Sequence, residues 1–360
     1  MKFLDLFAGI GGFRLGMESA GHECIGFCEI DKFARASYKA IHDTKGEIEL
    51  HDITRVTDES IRRIGRVDAI CGGFPCQAFS IAGNRRGFED TRGTLFFEIA
   101  RFASIIRPQY LFLENVKGLL NHENGITFET IISTLDELGY DVEWQVLNSK
   151  DFGVPQNRER VFIIGHFRGE CTRRIFPLSG QSQSISNKSV VKIGNANPSG
   201  NGMNGEVYQA DGLAPTLTTN KGEGQKIAIK SNTIKQFGVL QPNFNQCGVV
   251  YETDGIAPTI RAYQGGGLEP KIIQRGHGYN QGGVHEIAPT LTSNSYHENN
   301  HLSFGYRIRK LTPRECWRLQ GFPDWAFDKA QEVNSNSQLY KQAGNSVTVN
   351  VIAAIAKELE

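Results

Sequence analysis

Gly72-Gly73-Phe74-Pro75-Cys76-Gln77-Ala78-Phe79-Ser80 is the stretch on which the reading of this chain turns. It follows the apolar run Val67-Asp68-Ala69-Ile70-Cys71, which reads as a short buried strand. Two glycines then free the backbone, and Pro75 stiffens it just before a thiol. A strand that ends in such a turn delivers the sulfur of Cys76 to the carboxyl edge of a sheet. In open α/β folds that edge is where ligands sit. A helical turn after Cys76 would favour the thiolate over the thiol. A lone cysteine is more often a buried structural residue. The weight of the reading therefore rests on what other stretches bring to the same edge.

Upstream, Lys2-Phe3-Leu4-Asp5-Leu6-Phe7 reads as the first buried strand and Ala8-Gly9-Ile10-Gly11-Gly12 as the turn after it. Residues 13–20 look helical. The turn lacks the full dinucleotide fingerprint, because Arg14 stands where the third glycine would be. A second strand, Cys24 to Cys28, ends at Glu29, twenty residues after Gly9. At that spacing a carboxylate accepts hydrogen bonds from ribose hydroxyls. Asp52, in His51-Asp52-Ile53, is a further candidate for the same ligand. Taken singly, each of these is equally a tight turn or a solvated acid.

Downstream, Ala82-Gly83-Asn84-Arg85-Arg86-Gly87 is a polar segment whose paired arginines suit a loop closing over a phosphate backbone. A helix from Leu95 to Ile106 stops before Pro108. The strand Tyr110-Leu111-Phe112-Leu113 then delivers Glu114-Asn115-Val116 to the sheet edge. Desolvation there should raise the Glu114 pKa, so that it can donate or share a proton. Residues 128–138 are helical and 144–147 a strand. Arg158 and Arg160 alternate along Gln156-Asn157-Arg158-Glu159-Arg160, ahead of the strand Val161 to Ile164. The alternation points both guanidiniums to one face, which suits an anionic or carbonyl-bearing ligand.

The whole chain bounds these readings. Its 360 residues suffice for two domains. Lys+Arg and Asp+Glu are both 39, so a blanket basic surface is excluded and a nucleic-acid site must be a local patch. No apolar run is long enough to span a bilayer, and Asp5 interrupts what a signal peptide needs unbroken, so a cytoplasmic protein without a membrane partner is expected. The seven cysteines never form a CxxC pair, which argues against a disulfide framework or a zinc site. The 40 glycines exceed the roughly 25 of average usage, and many follow residue 190.

Composition changes near residue 170, and 179–189 is a serine-rich connector. From about 190 to 305 the chain lacks helix signals and repeats itself. Tyr208 to Asn220 recurs as Tyr251 to Tyr263, and a shorter copy runs from Val284 to Asn294, each with Ala-Pro-Thr at its centre. The copies fit strand, turn and strand, hence a small all-β unit with protruding loops. Residues 181–310 hold 12 Lys+Arg against 8 Asp+Glu. Their Gln, Asn, Thr and Arg side chains are types that read base edges. A helix starts at Thr312-Pro313. Gln342-Ala343-Gly344-Asn345-Ser346-Val347 leads into a C-terminal helix whose apolar side, Val351, Ile352, Ile355 and Leu359, should pack back onto the first domain.

DLFAGIGG, Glu29, GGFPCQAFS, ENV, QNRER, LTPRECWRLQGFPD and QAGNSV, in this order, resemble the motif series of DNA (cytosine-5) methyltransferases. The resemblance covers about 1–166 and 304–360 closely, and the middle in kind. It implies a doubly wound α/β sheet that binds S-adenosylmethionine, spanning 1–175 and completed by 335–360. A smaller, mostly β target-recognition domain would span 176–334. By residue match, Phe7 would contact the adenine ring, Glu29 the ribose and Asp52 the adenine amino group. Leu95, Asn345 and Val347 would complete a cofactor wall that also takes in Ala8, Gly9, Ile10, Gly11, Gly12, Ile30, Ile53 and Pro75. Ile30 stands where the family often has Trp.

In the chemistry the resemblance implies, the Cys76 thiolate adds to carbon 6 of cytosine and makes carbon 5 nucleophilic. Glu114 would hold ring nitrogen 3 protonated, with Arg158 and Arg160 fixing the base carbonyl and the glutamate. The base must leave the duplex to reach the sulfur. Gln77, Ser80, Ala82, Arg85 and Arg86 would face double-stranded DNA, with Thr259 and Arg261 from the second repeat. Gly265-Gly266-Gly267 after that repeat resembles recognition loops of members that read short GC-rich palindromes. Three copies also allow more than one target per chain. Two rivals stand beside this: methylation of transfer RNA by the same chemistry, and a non-catalytic DNA-binding regulator on the scaffold. No protein partner is required, so a monomer is expected, with or without a cognate restriction endonuclease.

Overall fold

Seven strands build the main sheet: β1 (Lys2–Leu6), β2 (Glu23–Cys28), β3 (Ile48–Leu50), β4 (Ala69–Gly73), β5 (Tyr110–Val116), β6 (Tyr140–Asn148) and β7 (Glu159–Phe167). Their order is β3-β2-β1-β4-β5-β7-β6, parallel except for β7, which runs antiparallel to both of its neighbours. The structure is a computed structural model. It describes residues 1–75, 95–170, 172–180, 189–195, 205–210, 212–217, 226–230, 236–239, 249–251, 272–274, 283–285, 300–301 and 306–359. Among the described residues no helix is long and apolar enough to cross a membrane.

Both faces of the central strands are covered, which is why they read as continuous apolar runs. Alternate residues feed opposite layers. Leu4, Leu6, Ile70, Leu111 and Leu113 pack with Phe96, Phe97 and Phe102 of α4 (Leu95–Ile106). On the other face Phe3, Cys71, Phe112 and Ile164 pack with Phe13 and Met17 of the first helix, α1 (Gly12–Ser19). Val351, Ile352 and Ile355 of the C-terminal helix join this second layer, so the tail does return to the sheet.

Helix α2 (Lys32–Ile41) follows β2, α3 (Asp58–Arg62) precedes β4, and α5 (Ile126–Glu137) precedes β6. After residue 311 come α6 (Pro313–Leu319), α7 (Asp324–Val333), α8 (Asn336–Asn345) and α9 (Val349–Ala356). Thr312 opens α6 with a full capping box to Glu315 and Pro313 in the first turn, as its sequence signature requires. Trp317 is fully buried and donates to the Leu339 carbonyl at 3.0 Å, tying α6 to α8.

Contacts divide the chain into one unit of Met1–Val190, Gly212–Gly224 and Thr312–Glu360 and another of Val191–Asp211 and Gln225–Leu311. The cuts fall at other positions than the 176 and 334 read from sequence. Helices α6 and α7 go with the first unit because α7 packs on α2 and Lys329 donates to the Ile41 carbonyl. In the second unit every described element is a strand: β8 (Lys192–Asn195), β9 (Glu206–Gln209), β10 (Lys226–Lys230), β11 (Gln236–Val239), β12 (Val249–Tyr251), β13 (Ile272–Gln274), β14 (Gly283–His285), β15 (Asn300–His301) and β16 (Tyr306–Lys310). They form sheets of order β16-β10-β9-β8, β11-β12 and β14-β13-β15.

Candidate active site

A cavity of about 750 Å³ opens at the carboxyl ends of β1, β2, β4 and β5. This is the switch point of the strand order, where ligands enter open α/β sheets. Two carboxylates, half-buried Glu29 and buried Glu114, line it from different strands.

Around Glu29 the holding groups are backbone amides. Its Oε2 accepts from Gly9 N and its Oε1 from Asp31 N, both at 2.8 Å. Each oxygen keeps a further lone pair for a ligand hydroxyl. Burial pushes the Glu29 pKa up, against the pull of those two amides. Phe7 lines the same end and sits at φ 56, a left-handed conformation uncommon for an aromatic residue. Ile10, Asp52 and Ile53 continue the wall. Asp52 accepts from the Thr54 hydroxyl at 2.7 Å and amide at 3.1 Å, which holds its carboxyl below the usual range. Ile30 is 67% exposed on the rim. Beside it Asp31, the N-cap of α2, pairs with Lys341 at 2.6 Å.

Around Glu114 the holding groups are guanidiniums. Arg160 Nε lies 3.0 Å from Glu114 Oε1. Burial raises the Glu114 pKa, while Arg160 and Arg158 oppose the rise. Gly73 makes room for the carboxylate, since a Cβ there would stand 3.2 Å from Oε2. Arg158 is 3% exposed and donates to the carbonyls of Ser346 at 2.8 Å, Gly344 at 3.3 Å and Leu217 at 3.4 Å. Burial pushes its pKa down to about 9, with Arg160 adding to the fall and Glu114 opposing it, so it remains cationic at neutral pH. Asn115 donates to the Phe74 carbonyl at 2.9 Å and so fixes the chain just ahead of Pro75.

Phe7, Gly9, Ile10, Glu29, Ile30, Asp52, Ile53, Pro75, Leu95, Glu114, Arg158, Arg160 and Asn345 all line this one cavity. Ala8, Gly11, Gly12 and Val347 do not line it. Ala8 packs with Phe27 and Tyr38, Gly11 and Gly12 start α1, and Val347 lies in the core behind. Cys76, Gln77, Ser80, Ala82, Arg85, Arg86, Thr259 and Arg261 lie outside the described residues. Pro75, on the cavity wall, is the residue to which Cys76 is bonded.

Asp31, Lys341, Thr216 and Leu217 line the cavity without having been anticipated. For Asp31 the signal was present, an N-cap acid just after Glu29. Thr216 and Leu217 belong to the first repeat copy, which the repeat reading assigned elsewhere. The fully buried Gln156 explains their place. It donates to the Leu319 carbonyl at 2.8 Å and accepts from Leu217 N at 3.4 Å. The Thr216 hydroxyl donates to the Asn157 carbonyl at 2.8 Å.

The model of the family described as C-5 cytosine-specific DNA methylase matches residues 1–360. Among curated relatives, the orphan methyltransferase M.SPRI of Bacillus phage SPR is 36% identical, over 100% of this chain and 97% of the relative. The type II methyltransferase M.HhaI of Haemophilus parahaemolyticus is 36% identical, over 99% and 93%. Among solved structures, the S. pombe Dnmt2 methyltransferase is similar with a TM-score of 0.60 at 18% identity, covering 98% of this chain and 96% of that one. At that identity the likeness is one of fold.

Proposed function

The chain belongs to the C-5 cytosine-specific DNA methylase family and is a DNA (cytosine-5) methyltransferase; from that premise we propose how its cavity divides the work. The Glu29 end holds S-adenosylmethionine and the Glu114 end holds a cytosine extruded from duplex DNA. The observation that carries this is one cavity with a carboxylate at each end, half-buried Glu29 on backbone amides and buried Glu114 on Arg160.

The donor fits the residues present. Glu29 offers free lone pairs to a ribose diol, Phe7 and Ile30 offer apolar contact to a purine, and Asp52 is a fixed acceptor for an exocyclic amine. When bound, S-adenosylmethionine supplies an electrophilic methyl group. The thiolate of Cys76 adds to carbon 6 of the cytosine, which makes carbon 5 able to take that methyl. A free thiol has a pKa of about 8.5, so the arginines near the site assist by favouring the anion. Glu114, its pKa raised, keeps a proton on ring nitrogen 3 while the ring gains electron density. Arg160 holds Glu114 in place, and Arg158, braced by three carbonyls, brings positive charge to the same wall. Loss of the carbon 5 proton and release of Cys76 complete the exchange. Target reading falls to the second unit, with Thr259 and Arg261 as its candidate base contacts. The protein acts as a monomer where cellular DNA is accessible, in the cytoplasm, with or without a restriction endonuclease of the same specificity.

Transfer of a tritiated methyl group to unmethylated genomic DNA and to transfer RNA tests this. The wild type should label DNA and not transfer RNA, and Cys76→Ala should label neither while still binding both DNA and donor. Labelling of DNA by Cys76→Ala would refute the assigned nucleophile, and labelling of transfer RNA alone would refute the assigned substrate.

A further inference from the structure

His42 is the residue at the C-terminal end of α2, and its ring packs behind the glycine-rich turn. It is 7% exposed. The Phe27 and Tyr38 rings stack at 4.2 Å, and the Tyr38 and His42 rings follow at 4.7 Å. The ring faces the backbone of Ile10, which favours its protonated form, while Nε2 is buried with no hydrogen-bond partner. Gly11 lies against the ring at φ 85, a backbone conformation that suits glycine. A Cβ on Gly11 would meet the imidazole, 2.9 Å from Cδ2 and closer still to Nε2. Burial, with Arg14 and Lys329 acting the same way, pushes the His42 pKa down to about 3, so the ring is neutral at neutral pH.

The front of the same turn forms cavity wall. Gly9 and Ile10 line the cavity, and Gly9 N is one of the two amides on Glu29. The imidazole thus presses on the back of a turn whose front carries the amide that holds Glu29. We propose that His42 is a positioning residue for the donor site, fixing the Gly9–Gly12 turn from behind through the Ile10 backbone and the face of Gly11. The inference rests on reading the Glu29 end of the cavity as the S-adenosylmethionine site. His42 touches no reacting atom. Its effect should fall on donor affinity, and the chemical step should be spared.

Calorimetric titration with S-adenosylhomocysteine, the spent donor, tests this on the wild type, His42→Phe and His42→Gln. His42→Phe keeps a ring and loses the polar atoms that face Ile10, whereas His42→Gln restores an N–H donor. Affinity should fall about tenfold in His42→Phe and return to within about threefold of the wild type in His42→Gln. Melting temperatures should stay alike, and kcat at saturating donor should be unchanged. Equal affinity in the wild type and His42→Phe would overturn the inference, as would an equal loss in both variants. If the phenylalanine variant does not fold, His42→Ala takes its place, and it must bind about tenfold more weakly than His42→Gln. A wild type that binds no S-adenosylhomocysteine would overturn the donor-site reading and this inference with it.

Discussion

Glu29 and Glu114 are alike in almost every respect that a sequence records. Both end apolar strands, both line the same cavity, and desolvation raises the pKa of both. They differ in what holds them. Glu29 is gripped by two main-chain amides, which cannot swing away or exchange a charge. Glu114 is held by the Arg160 side chain, with Arg158 adding charge nearby. A carboxylate on fixed amides is built to accept hydrogen bonds in one fixed orientation. A carboxylate whose ionisation is balanced between burial and two guanidiniums is built to share a proton. The donor end and the reaction end of the cavity are thus told apart by the partners of their acids.

Exchanging each acid for its amide should separate the two ends. Glu114→Gln should lower kcat by roughly a hundredfold to ten-thousandfold and leave donor affinity unchanged. Glu29→Gln puts a donor nitrogen against a backbone donor. It should weaken donor binding by roughly thirtyfold and leave kcat at saturating donor within a few-fold. Steady-state kinetics with both substrates varied reads the two effects. If both variants lose kcat and affinity together, the division fails.

A smaller effect sharpens the comparison with a buried acid outside the cavity. Asp5 is fully buried on β1, and burial pushes its pKa up to about 8, with Arg14 opposing and Glu29 and Glu18 adding to the rise. The Tyr38 hydroxyl donates to one oxygen at 3.5 Å, and the other oxygen has no hydrogen-bond partner among the described residues. The native chain therefore keeps a proton that the unfolded chain gives up above the ordinary value of 3.8. The stabilisation is complete below that value and is lost as pH rises towards about 8. Asp5→Asn carries no such proton. Its melting temperature should match the wild type near pH 4 and exceed it by several degrees near pH 8, as differential scanning fluorimetry would show. An unchanging difference would mean that Asp5 is ionised in the fold.

The elements most legible in sequence were those set by local chemistry. Helix α4 runs from Leu95 to Ile106 as read, because Pro108 ends it. Thr312-Pro313 opens a helix as read, because the cap is encoded within four residues. Strand β6 was read as 144–147 and extends over Tyr140–Asn148, since its polar residues have distant partners. Glu143 accepts from the amides of Ile175 and Phe176, and Gln145 exchanges two hydrogen bonds with Leu178. Polar side chains that satisfy a neighbouring segment look like loop residues until that segment is in view. The same holds in the cavity. Glu114 and both arginines were legible as motif residues, whereas Leu217 arrives through Gln156, a contact about sixty residues away that no periodicity records.

The account stands on Cys76 bonding to an extruded cytosine beside the donor. Incubating the protein with S-adenosylmethionine and duplex DNA whose target cytosines carry fluorine at carbon 5 blocks release of the sulfur. Intact mass spectrometry should then show a covalent protein–DNA adduct carrying the transferred methyl, absent from Cys76→Ala. Unmodified wild-type protein after full methylation of ordinary DNA, or an adduct that persists in Cys76→Ala, would contradict it.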